Sequence, residues 1–484
     1  MNKIILTIQA FIKNKLGFDV ACIEALPASG SNRAYFRLSV NNHSYIATYN
    51  TNVVENETFF YLSKRFLTKG VSVPEVIALS EDKTIYLQED VGKDNLLDVL
   101  QKEGATDSVY KLFEQSLSLL AKLQIKGDEG LDYNLCMVKS FSKEAIQNDL
   151  LYFKYYFLDT LQKTYDKEAL SKDFNKLSDW LADTSYQYFM FRDFQSRNIM
   201  VKENAVCFID FQGGMKGPLQ YDVASLLWQA KAKLAKEWKD DLLQHYIKEA
   251  NSYLAKPIDV ASFTNSYNGF VLIRLLQVLG AYGFRGLFEH KAHFISSIPF
   301  ALQNLRFFID NYTLDIELPE LSSVMKMVSE EEIIKRFTPV KANEQTALMV
   351  HINSFSYRVG IPQDESNNGG GFVFDMRGIL NPGRFDDYKH LTGQQKPVQD
   401  FLEQETKMPA FLQSVWNTID ITIEDYLARG FDSLQINFGC TGGQHRSVYA
   451  AEQTAKYLKD KYNLKVILAH TNKENWKLTS SCIE

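Results

Sequence analysis

The sequence predicts an α+β architecture in two lobes, strand-rich then helical, followed by a separate small α/β domain. Three observations carry this. Short alternating runs crowd the first 90 or so residues. Apolar residues at helical spacing dominate from Leu96 to about 310. Strands then alternate with helices after 346. A chain of 484 residues exceeds one ordinary hydrophobic core, so two or three domains are expected. The boundaries read as 1–90 for the strand-rich lobe, 91–312 for the helical lobe, 313–345 for a linker and 346–484 for the α/β domain.

The opening run MNKIILTIQAFIKNKLGF is interrupted by charge and has no small-residue cleavage site. It reads as an amphipathic helix and not a signal peptide. Residues 18–50 read as short strands: SGSN turns the chain at 29–32, AYFRLSV alternates and HSYIATYN follows. Phe59, Leu62 and Phe66 give residues 55–69 a helical period. VPEVIALSEDKTIYLQED gives two strands around a polar turn. Helices are expected from Leu96 to about 130, from 140 to 182 and from 222 to 310, with short strands around Asp193. Residues 313–345 are polar, carry two prolines and an acidic cluster, and read as a linker with room for one short helix. Beyond it, ALMVHINSFSY, GGGFVFDMRGI, SLQINFGC and KVILAH read as strands, with helices over 395–430 and about 445–461.

Composition narrows the function classes. The net charge of −6 and a pI near 5.9 argue against nucleic acid as a partner. No run of about 18 apolar residues appears, so neither a membrane-spanning helix nor a membrane partner is expected. Cys22, Cys136, Cys207, Cys440 and Cys482 are scattered and form no CxxC pair, which suggests neither zinc nor a disulfide framework. The expected compartment is the reducing cytoplasm.

The stretch FMFRDFQSRNIMVKENAVCFIDFQ, residues 189–212, carries the chemistry. Asp193, Asn198 and Asp210 are the trio that phosphoryl transfer needs. One carboxylate addresses the acceptor hydroxyl and accepts its proton. An amide and a second carboxylate hold Mg²⁺ against the phosphates of ATP. Arg192 and Arg197 would hold the loop or neutralise phosphate. The segment between Asn198 and Asp210 fits a hairpin, which keeps both ligands near one ion. An Asp followed by Asn five positions on is a short pattern that arises by chance. FRD before it, IDFQ after it and the strand-rich lobe upstream lift it above chance.

YLQEDVGKDNLLDVL, FRDFQSRNIMV, FIDFQ and GPLQYDVASLL together resemble the aminoglycoside phosphotransferase and choline kinase superfamily, over about 20–310. Within it they resemble the anomeric amino-sugar kinases, which phosphorylate N-acetylmuramate and N-acetylglucosamine at C1 in cell-wall recycling. The resemblance implies a kinase-like two-lobed fold with ATP and Mg²⁺ as cofactors and a small amino sugar as acceptor. It implies Asp193 as catalytic base and Asn198 and Asp210 as Mg²⁺ ligands. It also implies that Asp222 is a buried brace for the catalytic loop. Read from the residues alone, Asp222 is also a cap for a helix over 223–230.

Two positions depart from the family pattern. The loop usually opens with His and here has Phe191. The strand 43–50 has no lysine for the α/β-phosphates, an absence the amino-sugar branch shares. Ser29, Gly30, Ser31 and Asn32 offer backbone N–H groups to phosphate, with Arg33 or Arg37 adding charge; a plain hairpin turn explains the same residues. Glu55 and Glu57 open the next helix, where either pairs with a cation in the cleft or sits solvated in the first turn. Gln88, Glu89 and Asp90 fall at the hinge expected to meet adenine through backbone groups.

A second candidate site lies at GCTGGQHRSV, where a strand meets a helix. Its glycines let backbone N–H groups converge, the helix N-terminus adds partial positive charge, and Arg446 adds a full one. Cys440, Arg446 and Ser447 also have the spacing of cysteine-dependent phosphatases. A strand-to-helix turn with a buried cysteine is the plain alternative. FVFDMRGILNP, LTGQQKPVQDFL and INFGCTGGQHRSVYAAEQTAKYL closely resemble the C-terminal domain of the RapZ family, over nearly all of 346–475. That resemblance favours binding over hydrolysis. It implies a phosphorylated or UDP-linked amino sugar as ligand, with Thr441, Gly442, Gly443, His445 and Arg446 at its phosphate. Asp375, Arg377 and Asn381 would line the same pocket, although Asp375 and Arg377 also read as a simple loop-bracing ion pair. The RapZ prototype is also an RNA adaptor, but this chain is acidic and its end, ENWKLTSSCIE, is not basic. The P-loop signature of the RapZ N-terminal ATPase does not occur.

The expectation is a bifunctional protein, an amino-sugar kinase fused to an amino-sugar sensor. Two alternatives stand beside it: a non-catalytic metabolite-sensing adaptor, and a phosphatase acting through Cys440.

Overall fold

The computed structural model describes the chain except residues 1, 18–19, 21, 27–32, 41–42, 290, 339–341, 344, 365, 367–370 and 477–484. The chain divides into two compact units, Met1–Arg336 and Phe337–Glu484.

Unit 1 begins with α1 (Asn2–Leu16), whose Ile8, Phe11 and Ile12 are buried. They pack on an antiparallel sheet that starts with β1 (Cys22–Ala25), β2 (Ala34–Val40) and β3 (His43–Tyr49). The alternation in AYFRLSV sends Phe36 and Leu38 into that core and leaves Arg37 on the other face. Next comes α2 (Val53–Thr68), started by the Asn52 side chain accepting from the Glu55 N–H, with Phe59, Leu62 and Phe66 buried as their spacing predicts. β4 (Val76–Leu79) and β5 (Ile85–Glu89) complete the sheet in the order β1-β2-β3-β5-β4.

After the hinge, β6 (Asp94–Asn95) leads into α3 (Leu96–Glu103) through a capping box of Asn95 and Asp98. α4 (Asp107–Asp128), α5 (Lys143–Tyr156) and α6 (Lys167–Ala182) build the helical lobe. Four short strands then interrupt it: β7 (Gln187–Met190), β8 (Ile199–Lys202), β9 (Ala205–Phe208) and β10 (Met215–Pro218). β8 and β9 form the expected hairpin, with β6 on its edge, and β7 pairs with β10. α7 (Leu219–Leu227), α8 (Lys236–Asn251) and α9 (Val260–Tyr282) follow. A π-helical turn over Gly283–Phe288, α10 (Ala292–Ile295) and α11 (Ile298–Asn311) close the lobe.

α9 and its π-helical extension, Val260–Phe288, are long and apolar enough to cross a membrane. This qualifies the expectation drawn from apolar runs. The helix is the packed centre of the lobe: it lies against α5, α7 and α11, and Phe270, Val271, Leu272 and Ile273 are fully buried.

The expected linker is a correction. Residues 319–337 form α12 (Pro319–Val328) and α13 (Glu331–Phe337). Leu321, Val324, Met325 and Val328 sit at helical spacing and are buried, so α12 packs on α6 and α11. Asp173 Oδ2 accepts from the Leu321 N–H at 2.8 Å. Pro319 opens a helix, where its missing N–H is not needed, and does not break one. The polar flanks masked this apolar face.

Unit 2 contains β11 (Met349–Ser356), β12 (Phe372–Asp375), α14 (Lys396–Gln404) and α15 (Met408–Arg429). β13 (Ser433–Cys440), α16 (Arg446–Tyr462) and β14 (Lys465–His470) follow. The four strands are parallel in the order β12-β13-β11-β14. Their apolar runs, Val350 and Ile352 on β11 and Ile436 and Phe438 on β13, share a core with Leu412, Val415 and Ile419 of α15. All four carboxyl ends fall at one edge, the position where parallel α/β sheets present ligand sites.

Two glycines let α5 and α9 cross closely. A Cβ on Gly280 would stand 2.7 Å from the Phe153 nitrogen, and one on Gly283 would stand 2.1 Å from the Tyr156 carbonyl oxygen. Gly280→Val is expected to destabilise unit 1 by about 2–3 kcal/mol through overpacking. A lowered chemical denaturation midpoint is the readout, and an unchanged midpoint would mean that the helices can separate at no cost.

Candidate functional site

β7 delivers the chain to the loop that carries Asp193, and a buried carboxylate shapes that loop. Asp222 is fully buried in the first turn of α7. Its Oδ2 accepts from the Phe191 N–H at 2.7 Å and its Oδ1 from the Arg192 N–H at 2.9 Å. Gln124 Nε2 is a third donor at 2.8 Å, and Tyr246 in turn donates to Gln124 Oε1 at 2.5 Å. Asp222 therefore braces the loop and does not cap a helix; α7 starts at Leu219 with no side-chain cap. The brace holds Arg192 at φ 76°, an uncommon conformation for a residue with a Cβ. The Arg192 guanidinium meets Asp149 at 3.0 and 2.8 Å and donates to Tyr221 Oη at 2.6 Å, so it holds the loop. Phe191 packs edge-on against Phe194, Phe208 and Phe211.

The trio is drawn together by two bonds. Asn198 Nδ2 donates to the Asp193 carbonyl at 2.9 Å, and the Ile209 N–H donates to the Asn198 carbonyl at 3.0 Å. Asp210 follows Ile209 directly. It lies two residues past β9 at φ 69°, so the chain bends sharply there and does not simply end a strand. With its nitrogen engaged, Asn198 keeps its amide oxygen for a cation. Among the described residues no group of three or more His, Cys, Asp or Glu converges as a metal site. Asn198 and Asp210 are a two-oxygen set, which suits Mg²⁺ when phosphates and water supply the other ligands. Phe211, next to Asp210, is fully buried, stacked on Phe59 at 5.0 Å and edge-on to Phe66 of α2 at 5.5 Å.

Arg33, one residue before β2, completes this corner. Its Nη2 donates to Asp210 Oδ1 at 2.8 Å and lies 3.5 Å from Glu55 Oε1. A cation just ahead of β2 thus pairs with a helix carboxylate and with Asp210, although β3 carries no lysine. Glu55 takes the cleft-cation reading; Glu57 pairs with exposed Lys83 and is the solvated one. Arg37 does not reach the trio. Its Nε meets Asp90 Oδ2 at 2.7 Å and its Nη2 donates to the Gly92 carbonyl at 2.9 Å, tying β2 to the hinge. Gln88 is buried with its Oε1 unpartnered among the described residues, and Glu89 is exposed. Ser29, Gly30, Ser31 and Asn32 lie outside the described residues.

A cavity of about 180 Å³ opens at Asp193, with Gln195, Arg197, Gln229, Arg274, Gln277 and Tyr282 in its wall. Arg197 is more than half exposed and stands 3.4 Å from Asp193, a pairing that water weakens. Arg274 and Gln229 carry no local signature in the sequence.

In unit 2 the loop 441–445 sits at the carboxyl edge of the parallel sheet. Four of its successive carbonyls are engaged: Thr441 by Ser356 Oγ at 2.8 Å, Gly442 by Asn472 Nδ2 at 2.8 Å, Gly443 by Trp476 Nε1 at 2.8 Å and Gln444 by the Gly393 N–H at 3.0 Å. Carbonyls held by the fold are carbonyls kept from an anion. Gly443, at φ 62°, has no room for a Cβ beside Asn472 and the Ser356 nitrogen. Thr441 and Gly442 are exposed, whereas His445 and Arg446 face inward. His445 Nε2 donates to the Tyr388 carbonyl at 2.8 Å, and burial pulls its pKa below the ordinary histidine value. Arg446 Nη1 donates to the carbonyls of Ile379 at 2.6 Å and Arg377 at 3.1 Å. These two residues brace the loops around the edge, a role the motif did not reveal. Cys440 is buried, with its Sγ accepting from the Gly443 N–H at 3.2 Å and 3.1 Å from Ser447 Oγ, contacts that tie the strand end to the loop and to α16. Asp375 and Arg377 form the simple ion pair at 2.6 Å, half exposed, with Arg377 over the Tyr357 ring. Asn381 Oδ1 accepts from the Gly383 N–H in its own turn.

Residues 23–255 match the phosphotransferase enzyme family, and residues 348–474 match the RapZ C-terminal domain. The chain thus joins an N-terminal domain of the first kind to a C-terminal domain of the second. A "Nucleotide-binding protein" of Shewanella halifaxensis is 36% identical over 118 residues, covering 24% of this chain and 40% of the relative. One of Endomicrobium trichonymphae is 32% identical over 165 residues, covering 33% and 53%. The chain spans about half the length of the curated relatives it matches. Among solved structures, the aminoglycoside phosphotransferase APH(4)-Ia in a ternary complex with ADP and hygromycin B is 15% identical, with a TM-score of 0.41 over 63% of this chain and 100% of that one. An ethanolamine kinase of Plasmodium vivax is 14% identical, with a TM-score of 0.42 over 59% and 81%. At that distance the likeness says nothing of substrate.

Burial pushes the Asp222 carboxyl up to about 7, against the pull of the Phe191 and Arg192 N–H groups and Gln124. The folded state therefore keeps a proton that the unfolded chain, with a carboxyl pKa near 4, releases. The stability this group contributes is complete below about pH 4 and declines as pH rises to about 7. Asp222→Asn cannot titrate and sets an NH₂ against a donor, at a cost of about 1–3 kcal/mol. Its deficit against the native chain is expected to narrow between pH 5 and pH 7.5 in denaturant titrations. A deficit that does not change with pH would remove Asp222 as the titrating group.

Proposed function

We propose that unit 1 is an ATP- and Mg²⁺-dependent small-molecule kinase. The observation that carries the reading is the gathering of Asp193, Asn198 and Asp210 by the Asn198–Asp193 and Ile209–Asn198 hydrogen bonds, with Asp193 at the mouth of a cavity. Asp193 orients the acceptor hydroxyl and takes its proton. Asn198 and Asp210 hold Mg²⁺, which when bound neutralises charge on the transferred phosphoryl group. Arg33 holds Asp210 and lends charge to the phosphates, while Gln88, Glu89 and Asp90 meet adenine at the hinge. Arg192 and Asp222 support the loop and Arg197 lies at its mouth. The acceptor class, a free amino sugar such as N-acetylmuramate or N-acetylglucosamine phosphorylated at the anomeric hydroxyl, is supported by the motif resemblance.

Unit 2, in this reading, binds a phosphorylated or UDP-linked amino sugar at the carboxyl edge of its sheet. The engaged carbonyls of 441–444 and the nearby Arg377 support an anion there.

Asp193→Ala is expected to lower kcat on a free amino sugar by about 10²-fold or more. A coupled ATP-consumption assay measures the rate and phosphorus NMR places the new phosphate; turnover that survives the substitution sinks the kinase reading. Arg33→Gln should raise KM for ATP and reduce kcat by about 10-fold, the loss expected for one charge-assisted contact. An unchanged KM and kcat would reduce Arg33 to a lobe tether. Titration of the full chain with UDP-N-acetylglucosamine should show binding that Arg377→Ala weakens by about 10-fold. Equal affinity in both proteins would exclude that edge of the sheet.

A further inference from the structure

We propose that Arg274 is the positioning residue of the transfer reaction: from α9 it fixes the Asp193 carboxylate and walls the acceptor cavity. This rests on the kinase reading of unit 1.

Arg274 is 6% exposed. Two of its nitrogens are fixed by the helical lobe. Nε donates to Ser225 Oγ at 3.0 Å and Nη1 to Gln277 Oε1 at 2.5 Å. The third, Nη2, stands 3.6 Å from Asp193 Oδ1. A buried cation without an anion beside it is costly. Among the described residues, Asp193 is the one carboxylate within ion-pair distance of Arg274.

The anchoring is specific to a guanidinium. Nε and Nη1 are used to hold the group, which leaves Nη2 to reach the catalytic carboxylate; a lysine has one nitrogen and cannot do both. Ser225 lies one turn along α7 from Asp222. One helix therefore braces the backbone of the catalytic loop through Asp222 and the side chain of that loop through Ser225 and Arg274. Gln195 Nε2 holds Asp193 Oδ1 from within the loop at 2.5 Å. Arg197 approaches from the exposed side, where solvent screens it.

In the reaction the acceptor O–H bond breaks and its proton goes to Asp193. The acceptor oxygen forms a bond to the terminal phosphorus of ATP, the bridging P–O bond breaks, and ADP leaves. Arg274 Nη2 stands beside Asp193 Oδ1 and not beside the reacting oxygen, so its contribution passes through the aim of that carboxylate at the acceptor oxygen.

The test is steady-state kinetics on the full chain, with the free amino sugar that the native protein phosphorylates. Arg274→Lys should lower kcat by about 10- to 100-fold while KM for ATP stays within about 2-fold, as expected when a catalytic group is misaimed. Ser225→Ala, which frees the anchor and keeps the charge, should lower kcat in the same direction by a smaller factor. The decisive arm is Asp193→Asn combined with Arg274→Lys. A residue acting through Asp193 adds no loss to that of Asp193→Asn alone. Losses that multiply, or an unchanged kcat in both Arg274→Lys and Ser225→Ala, overturn the inference while the kinase reading stands. A native chain that turns over no acceptor at all fails the kinase reading and takes this inference with it.

Discussion

Everything in the candidate active site depends on one buried carboxylate. Asp222 sits where no water reaches it, and the backbone N–H groups of Phe191 and Arg192 converge on it. A loop that must leave its strand at a positive φ needs a fixed acceptor to hold it, and helix α7 supplies one. Gln124 from α4 and Tyr246 from α8 stand behind the carboxylate, so three helices converge on one turn of chain. The order runs outward from there: the brace sets Arg192, Arg192 locks to Asp149, and the next residue, Asp193, is presented to the cavity.

Unit 2 uses the same economy with different parts. There the held backbone is the loop after β13, and the holders are a side chain from the carboxyl end of β11, two from just beyond β14 and the Gly393 N–H. In both units a buried polar side chain decides which face of a short backbone segment is presented. The difference lies in what is held: N–H groups in unit 1, carbonyls in unit 2.

Local features were readable from the chain. The spacing of Asp193, Asn198 and Asp210, the helical period of Phe59, Leu62 and Phe66, and the alternation around Phe36 and Leu38 all reflect neighbours in sequence. The glycines before Arg446 likewise announced a tight turn. What was hidden lies in contacts between distant residues. Arg33 and Asp210 are 177 positions apart, and nothing near either one marks the other. Arg274 sits in the middle of an apolar helix with no motif around it. The inward turn of His445 and Arg446 depends on carbonyls at Tyr388 and Ile379, which no pattern joins to them. The face of α12 was present in the sequence at regular spacing but lay between polar flanks that suggested a linker.

The phenylalanine next to Asp210 has a mechanical consequence. Phe211 is clamped between Phe59 and Phe66, both on α2, the one helix of the strand-rich lobe between β3 and β4. Aromatic contacts of this kind resist sliding because a ring that moves loses its partner's face or edge. Any tilt of α2 therefore drags Phe211, and the residue bonded to it carries the carboxylate that Arg33 grips from the same lobe. The contacts thus tie the position of α2 to the placement of Asp210, with α2 as the lever and Phe211 as the pin.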